Sequence, residues 1–349
     1  MDISESISLV FVGHTNLSPG SWSASKLLGL PPLHSLSLIL PDRPIASTLP
    51  AFFARQQQLA DASPFTHSGL DSLSILSRDS AVITPALIKQ LAPALARTPL
   101  TRLAIAGCPK VHDTAALELL SALPGLTDFA LEASGVSAAF YREAAPALAR
   151  VRRLKLTHPG PRHSAEFLPA LVTLLAAATR LEGFTLYHSG VSSTATREWV
   201  TLDADGGDFV RALVSHAGVG LRRLELSNVL IGLDSLEAIA GGMPNLRDMV
   251  VHIGGALNMV RLSAAVALLP ELRTLHVLSA RAEHDVDAFL SVARNASATL
   301  RQVGYRNRVW TVRRTYDVDP EDPAQVRPAM SLDRYDSPHF PEALLVVRT

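Results

Sequence analysis

Residues 100–120 read LTRLAIAGCPKVHDTAALELL. The first six positions follow Leu-x-x-Leu-x-Ile, and the same frame recurs along the chain. It stands as LHSLSL from Leu33, LDSLSI from Leu70, LTDFAL from Leu126, VRRLKL from Val151 and LEGFTL from Leu181. It continues as LRRLEL from Leu221, LRDMVV from Leu246, LRTLHV from Leu272 and LRQVGY from Leu300. Successive copies start 25–30 residues apart, apart from two longer intervals of 37 and 40. A fixed period of this size marks a chain built from stacked supersecondary units.

The physics of one unit is readable in residues 100–120. Frame positions four and six alternate with polar or small residues, the period of a half-buried strand. Leu103 and Ile105 are therefore expected to face a core, with Arg102 and Ala104 on the other side. A turn follows, then an apolar run at helical spacing. Asp113 is placed to cap that helix and Pro124-Gly125 to end it. In IGLDSLEAIAGGMPNL, Asp234 and Glu237 resemble an N-terminal capping pair, Gly241-Gly242 stops the helix and Pro244 prevents its restart. One strand and one helix cannot bury an apolar face alone, whereas stacked copies can, with strands in a parallel inner sheet and helices outside. The expected fold is thus α/β, and it resembles a leucine-rich-repeat solenoid, or horseshoe. About ten irregular repeats span residues 1–305, with ISLVFV (7–12) as an earlier degenerate strand.

After Tyr305 the frame stops. RVWTVRRTYDV (308–318) alternates like a strand, a Pro-rich turn region follows, and EALLVVRT (342–349) reads as a closing strand. A terminal repeat needs its open end covered, so 306–349 are read as a β-rich C-terminal cap. The two long intervals, within 39–69 and 187–220, hold a helix plus an added loop. Closing a longer loop costs little, so these are read as tolerated surface insertions, with a binding loop as the alternative.

The bulk composition narrows function. Hydrophobic residues make up 48% and charged residues 18%, enough for a large core. Lys+Arg and Asp+Glu both number 32, so no global charge excess points to nucleic acid. Aromatic platforms are few and no nucleic-acid recognition motif occurs. A single cysteine excludes an intrachain disulfide and a multi-cysteine zinc site. No apolar run approaches the roughly 18 residues of a membrane span, and the opening does not read as a secretory signal. The expectation is a soluble cytoplasmic or nuclear protein, in which the sequons at Asn16 and Asn295 carry no sugar.

The third copy points to a family. Leu100, Leu103, Ile105, Cys108, Val111, Asp113 and Leu117 fall on the landmarks of the cysteine-containing leucine-rich repeat, with His112 where threonine is usual. Ser134, Pro159, Ser189 and Val229 stand at the cysteine position elsewhere. Such repeats are typical of F-box/leucine-rich-repeat proteins. LRRLELSN, PNLRDM, PELRTLHV and the C-terminal tail resemble the large fungal set of them. The resemblance implies a non-enzymatic protein-interaction scaffold, the substrate-recognition region of an F-box-type ubiquitin ligase subunit. An F-box would bind a Skp-type adaptor, but no Leu-Pro-x-Glu-(Ile/Leu) opening occurs in the first 50 residues. The runner-up is a leucine-rich-repeat regulator or inhibitor of another enzyme, similar to ribonuclease inhibitor or to GTPase activators. Those show more uniform repeats with an asparagine after each strand.

The outward strand positions form the candidate partner-binding concave face: Arg102, Asp128, Arg152, Arg153, Lys155, Arg222, Arg223, Glu225, Arg247, Asp248, Arg273, His276 and Arg301. The copies nearer the N-terminus offer His34, Ser35, Ser37, Asp71, Ser72 and Ser74. The basic bias suits an acidic protein or a phosphorylated peptide. The alternative is that these arginines are solvated or paired with neighbouring acids. Cys108 with His112 four residues on could suggest a hydrolase, but the frame explains both, and Cys108 is expected to be a packed core residue. No histidine pair has metal-ligand spacing. DADGGD (203–208) and DVDPED (317–322) lack the glycine and distal glutamate of a calcium loop. No phosphate loop or nucleophile elbow is present. No cofactor is expected.

Overall fold

A computed structural model describes residues 8–12, 24–62, 69–77, 80–188, 199–203, 207–279, 286–306, 308–318 and 326–335. The chain divides into two compact units, Met1–Thr157 with Pro169–Arg180, and His158–Leu168 with Leu181–Arg348. In the first unit strands and helices alternate as β1 (Ser8–Val12), α1 (Ala24–Leu28), β2 (Ser35–Ile39), α2 (Arg43–Ala62), β3 (Ser72–Leu76) and α3 (Pro85–Leu95). They continue as β4 (Arg102–Ala106), α4 (Asp113–Ala122), β5 (Asp128–Glu132), α5 (Ala138–Leu148) and β6 (Arg153–His158). A short 3₁₀ turn, Pro161–His163, of the second unit leads into α6 (Ser164–Ala177), which belongs to the first unit from Pro169 on. The second unit runs β7 (Gly183–His188), β8 (Val200–Thr201), α7 (Asp208–Ala217), β9 (Arg223–Ile231), α8 (Leu233–Gly242), β10 (Asp248–Ile253) and α9 (Met259–Ala267). It ends with β11 (Thr274–Ser279), α10 (Val286–Asn295), β12 (Gln302–Tyr305), β13 (Arg308–Val318) and β14 (Val326–Arg334).

This is an alternating β-α solenoid of the leucine-rich-repeat type, with a largely parallel inner sheet and outer helices. Each of the ten frames begins a strand at its third position, from Ser35 in β2 to Gln302 in β12. In the first unit β1 to β6 pair in chain order, all parallel. In the second, β7, β9, β10, β11 and β12 do the same. Registers are in step: Leu36 stands opposite Leu73, Leu73 opposite Leu103, and Leu103 opposite Phe129. Positions four and six are buried in every frame, because alternate side chains leave opposite faces of a strand. Neighbouring helices within each unit pack on one another against that apolar face.

A repeated backbone device sets the pitch. The position-two carbonyl of one repeat accepts N–H bonds from positions two and three of the next. Asp71 O takes Thr101 and Arg102 N–H at 2.9 and 3.0 Å, and Arg222 O takes Arg247 and Asp248 N–H at 2.7 and 3.0 Å. Position two is therefore a joint of the solenoid as well as a surface position.

Several local expectations change. Asp113 does not cap its own helix. The N-cap of α4 is His112, and the Asp113 carboxylate instead accepts from Ser137 N–H (2.7 Å) and its hydroxyl at the start of α5. Asp234 and Glu237 do not form a capping pair either. Both hold the Arg261 guanidinium of α9, clamping α8 to its neighbour. The start of α8 is held by Asp203, which accepts from Gly232 N–H and the Ser235 hydroxyl. Gly242 is the last residue of α8 rather than a stop beyond it. A Cβ there would lie 2.2 Å from Val214 Cγ1, so the glycine permits close approach of α7.

The C-terminal strand at 308–318 is present as β13. β14 lies inside the stretch read as a turn region, and the reason is pairing. β13 and β14 form an antiparallel ladder from Trp310↔Arg334 to Val318↔Val326, which tolerates Pro328 on the outer strand of the sheet. Trp310 stacks on Phe289 of α10, with centroids 6.1 Å apart. Residues 342–349, Asn16 and most of DVDPED lie outside the described residues.

Candidate interaction surface

The sheet face opposite the helices carries frame positions three, five and seven. In the first unit position five is a row of small side chains in register, Ser37, Ser74, Ala104 and Ala130, followed by Lys155. All are half-buried. Position three beside it reads Ser35, Ser72, Arg102, Asp128 and Arg153. Small side chains on a stiff sheet leave room for another chain to come close to the backbone.

The charges on this face are mostly committed to one another. Arg102 Nη2 bonds both oxygens of Asp71 at 2.8 and 3.1 Å, and His34 Nε2 reaches the same carboxylate at 3.1 Å. Arg153 pairs with Asp128, and Lys155 Nζ lies 3.1 Å from buried Glu132. In the second unit Arg223 lies 3.6 Å from Glu225, and the nearest carboxylate oxygen to Arg247 is that of Glu271, at 3.8 Å. With their cations partly in water such pairs stabilise only modestly, but they hold the charged side chains in place. Arg152, Arg222, Arg273 and Arg301 are exposed and Asp248 is half-buried. Among the described residues, Arg222, Arg273 and Arg301 form no ion pair.

The second unit differs at position five, where Thr185, Glu225, Val250, His276 and Gly304 follow one another in register. His276, expected on the binding face, is 7% exposed. Its ring covers Gly304, where a Cβ would come within 2.7 Å of it, and its Nε2–H donates to the Arg306 carbonyl at 2.8 Å. Burial lowers its pKa. Two residues beyond Val250 along β10, His252 packs edge-on against Trp199 with centroids 4.5 Å apart. The long interval 187–220 thus supplies more than a surface loop. β8 pairs with β9 where the β9–β10 register shifts, at Val200↔Val229, and Trp199 beside it lies on the sheet face. Sequence reasoning missed this tryptophan; the extra length of the interval and an isolated aromatic within it were the available signals.

The remaining chemical candidates resolve into packing. Cys108 is fully buried, and its Sγ lies 3.4 Å from the Ala106 carbonyl. Burial pushes the thiol up to about 11, the wrong direction for a nucleophile. His112 turns away to the Gly135 carbonyl, 3.2 Å from its Nδ1. His158 is also fully buried, and its Nδ1 accepts from Gly160 N–H at 3.0 Å, which folds the 159–163 turn back on the strand. Desolvation, with His188 and His163 nearby, lowers its pKa to about 3. Among the described residues no group of His, Cys, Asp or Glu could hold a metal ion. Likewise no described helix is long and apolar enough to cross a membrane.

No family model matches the chain, and no curated protein matches it by sequence. Solved structures do. A chain of the yeast Rad7 and Elc1 complex is 14% identical with TM-score 0.48, the match covering 76% of this chain and 64% of that one. A chain of the TLR13–ssRNA13 complex is 16% identical with TM-score 0.35, covering 82% and 41%. The chain thus spans less than two thirds of the length of either. At such identities these likenesses concern fold alone.

Proposed function

We propose that this chain is a non-enzymatic scaffold that binds a protein partner on the helix-free face of its sheet. The observation that carries the reading is the small-residue row Ser37, Ser74, Ala104 and Ala130, flanked by paired charges on a backbone fixed by the position-two ladder. A preformed surface of this kind loses little entropy on binding, so many weak contacts add to useful affinity. The solenoid over 1–305 would present the surface, with 306–349 as its cap. Further, we read the chain as the substrate-recognition region of an F-box-type ubiquitin ligase subunit acting in the cytosol or nucleus. The cysteine-containing repeat at 100–120 supports that finer reading.

Two experiments test these levels. A photo-crosslinking residue at Ser74 or Ala104 should capture a protein partner in cells, and one at Ala267 on α9 should not. Capture from Ala267 alone would move the surface to the helices and refute the proposal. For the ligase role, a chain extended to its full reading frame should co-purify with a Skp-type adaptor. A full-length product without adaptor would rule that role out and leave the scaffold reading standing.

A further inference from the structure

Four consecutive repeats of the second unit carry arginine at frame position two: Arg222, Arg247, Arg273 and Arg301. Their backbones are joined directly. Arg247 N–H donates to Arg222 O at 2.7 Å, Arg273 N–H to Arg247 O at 2.7 Å, and Arg301 N–H to Arg273 O at 2.8 Å. The ladder fixes the arginines at the strand spacing, ~4.8 Å per step and about 14 Å in all. Arg222, Arg273 and Arg301 are exposed, and among the described residues none of these three forms an ion pair. Arg247 has only Glu271, at 3.8 Å. The nearby acids are otherwise Glu225, facing Arg223, half-buried Asp248, and half-buried Glu182, the rung before the row, whose carbonyl takes Arg222 N–H at 2.7 Å. The row is therefore a regular cationic comb at the edge of the helix-free face.

We propose that this comb binds the acidic face of an α-helix on a protein partner. The argument is one of pitch. Along a helix, residues i, i+4, i+7 and i+11 share a face and advance by ~4.5–6 Å per step, a mean of ~5.5 Å. Four carboxylates so placed meet four arginines one to one, and the long side chains absorb the small mismatch. An extended strand repeats its same-face side chains every ~6.6–6.8 Å, so only three acids fall within the same length. Phosphorylated residues on an extended peptide share that mismatch. The inference rests on the scaffold reading but uses different residues, so the two can fail separately.

The test is a titration of the full chain with synthetic peptides of equal net charge. One is a helical peptide with glutamates at i, i+4, i+7 and i+11; a second scatters them around the helix; a third is proline-interrupted and extended; a fourth is extended and phosphorylated. The one-face helix should bind at least about tenfold tighter than the others. Arg222→Gln/Arg273→Gln/Arg301→Gln should weaken it by about tenfold or more, as expected for three exposed charge pairs lost together. The matching triple lysine variant should restore most of the loss. The ladder uses only main-chain atoms, so the glutamine variant should keep its circular dichroism spectrum. Equal or tighter binding of an extended or phosphorylated peptide would overturn the helix assignment. One-face helix binding that is unchanged in the folded glutamine variant would overturn the site. Neither result would alter crosslinking from Ser74, which tests the scaffold reading.

Discussion

Gln56 lies on α2 among Leu49, Phe52 and Phe53, and only 3% of it is exposed. Its Oε1 accepts the Leu33 N–H at 2.8 Å, and its Nε2 donates to the Pro31 carbonyl at 3.0 Å. It therefore holds the approach to β2 from the helix side. Replacing it by leucine keeps the size and orphans the buried Leu33 amide, at a cost of ~1–3 kcal/mol. The Pro31 carbonyl is on an exposed residue and recovers water, so its lost bond costs ~0.5–1 kcal/mol. The extra apolar burial returns about 1 kcal/mol. The net expectation is a loss of ~2 kcal/mol, localised in the first repeats. Solenoid repeats open locally, so amide exchange over residues 33–39 is the appropriate assay. Protection there should fall roughly thirtyfold in Gln56→Leu, with the β9–β11 amides unchanged. Gln56→Glu keeps the acceptor but buries a carboxyl, raising its folded pKa above the ~4.3 of the unfolded chain. The folded state then binds more protons, so this variant should be destabilised at pH 7 and regain stability as pH falls through the folded pKa. A Gln56→Leu protein as protected as the parent over 33–39 would refute the reasoning.

Other outcomes follow from the same structure. Cys108 should give no thiol titre with an aromatic disulfide reagent at pH 8 until urea is added, and Cys108→Ser should destabilise more than Cys108→Ala because it buries a hydroxyl. His158, lowered to about 3, is bound neutral in the fold. The unfolded chain then binds the extra proton, so stability is complete above pH ~6.5 and falls by at most ~1.4 kcal/mol for each pH unit below it. His158→Asn should flatten that slope in urea melts between pH 6.5 and 4. Gly242→Ala should lower stability by about 1 kcal/mol, overpacking against Val214 outweighing the ~1 kcal/mol gain in helix propensity. Val214→Ala in the same chain should recover the loss, and a gain from Gly242→Ala alone would contradict the close approach of α7 and α8.

Much of the fold was legible because its cause is local. The Leu-x-x-Leu-x-Leu frame carries the strand period within six residues, and its third position starts each of the ten strands. The burial of Cys108 was legible for the same reason, since a frame repeated ten times predicts what each position does. The candidate surface was only partly legible. Its position-three and position-five residues fall on the strands and its position-two arginines just before them, yet the sequence could not say that Arg102 is spent on Asp71 or Lys155 on Glu132. Those partners stand in neighbouring repeats and meet only through strand register.

The sequence by itself thus determined the repeat, the inward leucines, the alternation of strand and helix and the identity of the residues turned away from the core. Each follows from periodicity in a stretch shorter than one unit. Tertiary structure alone decided that Asp113, Asp203, Asp234 and Glu237 serve elements beyond their own turn, and that His276 is covered while Arg222, Arg273 and Arg301 stay open. The physical reason is that a side chain's face is set by local backbone geometry, whereas its partner is set by which residue the stacked neighbour brings alongside.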